Sequence, residues 1–184
     1  ADRLDAQSRR MAKAVNFGIV YGLSAFGLSR QLKIYPKEAK KFIDQYFALY
    51  KKVKIYMDET VAEAEKLGYT QTMMNRKRYM PDLKSQNRQV REAAGRVAIN
   101  SPVQGSAADL IKLAMIRLAQ QISKKKLKSR MILQVHDELV FECPQEEEQE
   151  MRALVKKEME EVFPLKVPLV VDMGWGKNWN PAHH

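Results

Sequence analysis

Arg9, Lys13, Phe17 and Tyr21 stand four residues apart in RRMAKAVNFGIVYG, residues 9–22. On a helix each such step overshoots a full turn by only about 40°, so the four side chains form one gently spiralling stripe. Two cations followed by two aromatics suit a ligand that carries both phosphates and a flat ring. The cations would pair with phosphate oxygens and the aromatics would stack on a base.

Basic residues on a helix are most often solvated, and an aromatic pair at this spacing is most often core. Two features favour the ligand surface. Val15, Ile19 and Val20 offer a separate apolar face, so Phe17 and Tyr21 need not anchor the helix. Gly18 and Gly22 each cost about 1 kcal/mol in a helix interior, and each lets a bulky partner approach the backbone.

A second group with chemical potential lies in RMILQVHDELVFEC, residues 130–143. The strand-forming runs Met131–Val135 and Leu139–Phe141 flank His136 and Asp137, with Glu138 following. A tight hairpin normally takes Asn-Gly or Asp-Gly, and strained turns persist where their geometry is useful. An exposed carboxylate there could hold Mg²⁺. Asp is also a common turn residue, and both readings stand at this point.

These two groups need elements to position them. The pattern predicts a helix over about residues 6–21, stopped by Gly22, and a short helix over 24–32. Pro36 opens a third helix at its first position, running to about Tyr50, and a fourth covers 53–66 and ends at Gly68. Extended pieces at 69–74 and 78–80 turn at Asn75. A long helical stretch, 85–123, is expected to break near Asn100–Pro102, with Ser101 as N-cap, Pro102 at the first position and Gln104 as reciprocal cap. After the hairpin come a helix over 145–162 and a last strand over 167–173. Helices first, then a hairpin, a helix and a strand, imply an α+β fold with an antiparallel sheet.

The 184 residues can bury a core, and 45% hydrophobic with 29% charged residues is a globular balance. No apolar run is long enough to cross a bilayer, no signal peptide is visible, and no membrane partner is expected. The single Cys143 fits a reducing, cytoplasmic setting. The net charge of +10, from 32 basic and 22 acidic residues, favours polyanion partners. The excess gathers at Arg76, Lys77 and Arg78, then at Lys84, Arg88, Arg91 and Arg96. Lys124–Lys126 and Lys128 fit a solvated helix end.

VNFGIVYG, preceded by Arg9 and Lys13, and QVHDELVFE together resemble the second and third motifs of family A DNA polymerases, the bacterial DNA polymerase I type. The intervening YMPDLKSQNRQVREAAGRVAINSPVQGSAADLIKLAM is similar to that family in order and spacing, so the resemblance covers essentially the whole chain. It implies a helical fingers portion over 1–68 and a C-terminal palm portion over 69–184, whose antiparallel sheet carries a catalytic hairpin. Arg9 and Lys13 would bind the triphosphate of an incoming dNTP, with Lys13 also serving catalysis. Phe17 would stack near base and sugar and discriminate against dideoxynucleotides, and Tyr21 would check the nascent pair at the template base. Arg96, Asn100, Gln104 and His136 would contact primer–template DNA. Asp137 would be a catalytic carboxylate and metal ligand, with Glu138 as its acidic neighbour.

The resemblance also implies transfer of dNMP from a dNTP to a primer 3′-hydroxyl, assisted by two Mg²⁺ ions about 3.5–4 Å apart. The family takes a second essential Asp from a strand preceding the fingers helix, and nothing like it occurs here. The expectation is therefore a C-terminal portion, inert and poorly folded alone, that needs an N-terminal polymerase portion to lend that Asp. The expected setting is nucleoid-associated DNA replication or repair. A non-catalytic nucleic-acid-binding module is the alternative, and a structural helical protein in which Asp137 is merely a turn residue is a third reading.

Overall fold

A computed structural model describes residues 6–182. The chain divides into two compact units, residues 1–105 and 106–184. The described residues are mostly helical, with two separate two-stranded antiparallel sheets. The class is α+β.

The first unit begins with helix α1 (Ala6–Val20), which stops at Gly22, where φ is +75°. Helix α2 (Ala25–Leu32) is capped by Ser24, whose hydroxyl accepts from the Gly27 backbone N–H at 3.2 Å. Pro36 opens α3 (Pro36–Leu49), and the Glu38 carboxylate accepts from the Tyr35 N–H at 3.1 Å. Helix α4 (Lys51–Leu67) ends at Gly68 in the left-handed region. Strands β1 (Tyr69–Gln71) and β2 (Lys77–Tyr79) then pair, with Asn75 at φ 62° in the connection. Asn tolerates that conformation because its short polar side chain can bond locally. Ile19, Leu28 and Ala39 are buried under α1–α3. Ala64, Met80, Leu83, Ala94 and Ala98 form a second cluster.

The long helix differs from expectation. Helix α5 (Arg88–Lys125) is continuous, with Pro102 inside it. Ser101 does not cap a new helix: its hydroxyl donates back to the Val97 carbonyl at 2.7 Å, the i−4 bond that serine makes within helices. The reciprocal capping role for Gln104 falls with it. An internal proline costs about 3 kcal/mol, but local propensity yields to packing. Ala98, Ile99, Ser101 and Ser106 are all buried around the proline, so burial holds the helix through it.

The second unit contains the C-terminal part of α5, then β3 (Arg130–Val135) and β4 (Glu138–Glu142). These pair antiparallel, Val135 opposite Glu138, with an irregularity between Met131 and Leu133. A 3₁₀ turn (Gln145–Glu147) leads into α6 (Glu148–Glu160), in place of one helix over 145–162. Leu118, Met151, Leu154 and Val155 form the core, with Met131, Leu139 and Phe141 packed against it. Residues 167–173 do not form the expected strand. Their β-type composition suits a pleated surface, but a strand exists only in a ladder. Here Val171 N–H donates instead to the Glu160 carboxylate at 3.0 Å. Helix α7 (Trp179–Ala182) is a final turn. Among the described residues no helix is long and apolar enough to cross a membrane.

Candidate functional site

Helix α1 presents the expected stripe to solvent. Its inner face carries Ile19, 2% exposed, with Val15 half-buried, whereas Phe17 and Tyr21 are 52% and 44% exposed. Val20 lies outside that inner face and is exposed, because one residue turns the helix by about 100° away from Ile19. The Phe17 and Tyr21 rings stack, with centroids 6.2 Å apart and planes at 17°. The Lys13 ammonium lies 5.9 Å from the Phe17 ring centre, and Arg9 is exposed. Among the described residues no carboxylate pairs with Lys13. A free cation beside an exposed aromatic ladder can hold a phosphate and a ring together.

The continuity of α5 has a consequence for three other residues. Arg96, Asn100 and Gln104 recur every four positions on one unbroken helix, so they align along one side over roughly 12 Å. Arg96 and Gln104 are exposed and Asn100 is half-buried. Arg96 also abuts the end of α1, where a Cβ on Gly22 would stand 2.9 Å from its Cγ. From sequence Gly22 reads as a helix stop and as a place where a bulky partner can approach the backbone; that Arg96 makes this approach has no signal in local spacing.

In the second unit, His136 and Asp137 form the tip between β3 and β4. Only His136 takes positive φ, at 53°, a conformation that costs a residue with a Cβ about 1–2 kcal/mol. The Gln134 amide donates to the His136 carbonyl at 3.0 Å and braces the tip. His136 and Asp137 are exposed and Glu138 is half-buried. Among the described residues no hydrogen bond or ion pair occupies the Asp137 carboxylate. Such a group fits a hard divalent cation as one oxygen ligand. Three or more His, Cys, Asp or Glu side chains do not converge anywhere among the described residues; Asp137 and Glu138 are the acids at the hairpin tip, while Glu142 at the far end of β4 pairs with Arg130 at 2.9 Å.

The hairpin base has a brace that the sequence reading missed. Glu147 accepts from the Lys128 N–H at 2.8 Å, the Ser129 N–H at 2.9 Å and the Ser129 hydroxyl at 2.6 Å. The Ser129 hydroxyl bond foremost, then the Lys128 backbone bond, holds this carboxyl below its ordinary pKa. Glu147 sits in a run of three acids, Glu146–Glu148, which read only as the start of a helix.

Comparison with known proteins adds to this geometry. Residues 1–181 match the family model of DNA polymerase family A. The chain is 55% identical over 173 residues to DNA polymerase I of Caldicellulosiruptor bescii, covering 94% of this chain and 20% of that protein. It is 51% identical over 181 residues to DNA polymerase I of Bacillus subtilis, covering 98% of this chain and 21% of that protein. The chain therefore spans about a fifth of these curated relatives. Among solved structures it is similar to the POL domain of Pol1 from M. smegmatis in complex with DNA primer-template and dNTP. That similarity has a TM-score of 0.96 and 50% identity, over 100% of this chain and 32% of that one.

Proposed function

The chain belongs to DNA polymerase family A, and on that premise we propose that it supplies the nucleotide-gripping and one metal-holding part of a template-directed DNA polymerase. The carrying observation is the exposed Lys13–Phe17–Tyr21 ladder along α1 and the turn that ends it, with its stacked rings and a cation that no carboxylate engages among the described residues. Residues 1–68 act as a fingers portion and 69–184 as a C-terminal palm portion. The substrates are a dNTP and primer–template DNA, the pair named for the related M. smegmatis structure.

Each side chain then has a role set by its chemistry. Arg9 and Lys13 hold the triphosphate through charge-assisted hydrogen bonds. Phe17 packs on base and sugar, and Tyr21 lies against the template base. Arg96 meets DNA phosphate, while Asn100 and Gln104 reach minor-groove acceptors, which look alike for every correct pair. His136 lies near the primer terminus. Asp137, with Glu138 beside it, is the chain's ligand for Mg²⁺. When bound, two such ions activate the primer hydroxyl and neutralise the departing pyrophosphate. What remains for the protein is positioning and electrostatic stabilisation.

Two ions would need more carboxylates than Asp137 and Glu138 supply at the hairpin tip, and no cluster of three ligating side chains occurs among the described residues, so a further Asp would come from polymerase residues outside these 184. The test is primer extension by the chain alone and by the chain combined with the remaining polymerase portion as a second polypeptide. Extension is expected only in the combination. Extension by the chain alone would overturn the requirement, and Mg²⁺-independent DNA binding without extension in either case would favour a non-catalytic module. The setting that follows is the cytoplasm, at the nucleoid.

A further inference from the structure

The β1–β2 hairpin carries a face for which the roles above have no use. Its register sets Tyr69 opposite Tyr79, Thr70 opposite Arg78 and Gln71 opposite Lys77. Directly opposed residues share a face, so Tyr69, Gln71, Lys77 and Tyr79 lie on one side and Thr70 and Arg78 on the other. Thr70 is buried, and Arg78 Nη1 donates to the Ser101 hydroxyl on α5 at 3.2 Å. That side docks on the helix. The tyrosine side is open, with Tyr79 74% exposed. Its two rings meet edge to face, centroids 6.1 Å apart, and the Lys77 ammonium sits 4.4 Å from the Tyr69 ring centre.

The surroundings are strongly basic. Residues 69–91 hold six basic side chains against one acid, Asp82. A half-open groove of about 330 Å³ adjoins Tyr79, lined by Arg78, Pro81, Val90, Ala93 and Val97. Exposed aromatics in a basic field are how sequence-tolerant single-strand binders are built: bases stack on rings while cations follow the backbone. A duplex hides its base faces, so this combination suits unpaired nucleotides.

We propose that the Tyr69–Lys77–Tyr79 face binds single-stranded nucleic acid, Tyr79 stacking on an unpaired base and Lys77 meeting an adjacent phosphate. Given the polymerase reading, on which this identification rests, the strand is unpaired template. The face adds affinity for the template overhang without touching the chemical step.

The test uses the complete polymerase containing this chain, with Lys77→Ala, Tyr79→Ala and Tyr79→Phe variants. Affinity is measured by fluorescence anisotropy for two primer–templates that differ only in overhang, one nucleotide against about ten. Lys77→Ala and Tyr79→Ala together are expected to weaken the long-overhang complex about tenfold and leave the short one unchanged. Tyr79→Phe restores the affinity, and Lys77→Ala lowers the salt slope by about one unit. Equal losses on both substrates, or none on either, would overturn the proposal. Extension on the short-overhang template stays at the wild-type rate in every variant, and its absence in the wild type would instead refute the polymerase reading.

Discussion

Gly22 and Arg96 meet where the first helix ends: a Cβ added at Gly22 would stand 2.9 Å from Arg96 Cγ. Gly22 also holds φ at +75°, so the position excludes a side chain for two independent reasons. The contact ties the end of the aromatic ladder to a residue assigned to DNA.

Gly22→Ala is expected to cost about 1–2 kcal/mol of stability through its backbone, and to displace Arg96. Primer–template affinity should fall with it. A double-mutant cycle with Arg96→Ala separates the two effects, because residues in contact couple and distant ones add. Binding losses that add fully would show that Gly22 does not act through Arg96.

Lys13→Ala removes a cation that no carboxylate engages among the described residues. A charge-assisted hydrogen bond is worth about 1.5–3 kcal/mol, so efficiency with respect to dNTP should drop about 10- to 150-fold. Single-turnover incorporation against dNTP concentration measures this. An unchanged concentration dependence and rate would remove Lys13 from the triphosphate site.

Phe17→Tyr adds a hydroxyl to a half-exposed ring assigned to the sugar side of the nucleotide. That group can replace part of the hydrogen bonding that a dideoxy sugar lacks. Relative use of dideoxynucleotides should rise about two- to tenfold, since one such bond is worth about 0.5–1.5 kcal/mol. Competition between dNTP and dideoxynucleotide in primer extension reads the ratio, and an unaltered ratio contradicts the assignment.

Glu147→Gln tests the brace at the hairpin base. Its carboxyl has a lowered pKa in the fold, so ionised Glu147 stabilises the protein above the unfolded carboxylate pKa of about 4.3. That contribution disappears as pH falls through the lower folded value. The wild type should melt above Glu147→Gln at neutral pH, and the two curves should converge in acid. A gap that stays constant with pH would show that charge is not the source.

Much of this was legible in the sequence because the signals were local. Pro36, Gly68 and Asn75 set their own helix ends and turns, and a four-residue spacing fixed the α1 stripe. The failures were non-local. Pro102 read as a break because its chemistry says so, and burial of neighbours such as Ala98 and Ser106 keeps the helix intact. Residues 167–173 read as a strand from composition, but pairing depends on a partner that composition does not name. The Glu147 brace and the Gly22–Arg96 contact join residues distant in sequence or of ordinary type, so no spacing announces them. The acid at Asp137 was visible, and that no hydrogen bond or ion pair among the described residues occupies it required coordinates.

The central claim is that Asp137 serves the chemical step and not DNA capture. Single-turnover incorporation by the complete polymerase carrying Asp137→Asn, measured beside its primer–template Kd, tests it most directly. Loss of a metal ligand worth several kcal/mol should slow incorporation by about 10³-fold or more while Kd stays near the wild-type value. A near-normal incorporation rate would contradict the account.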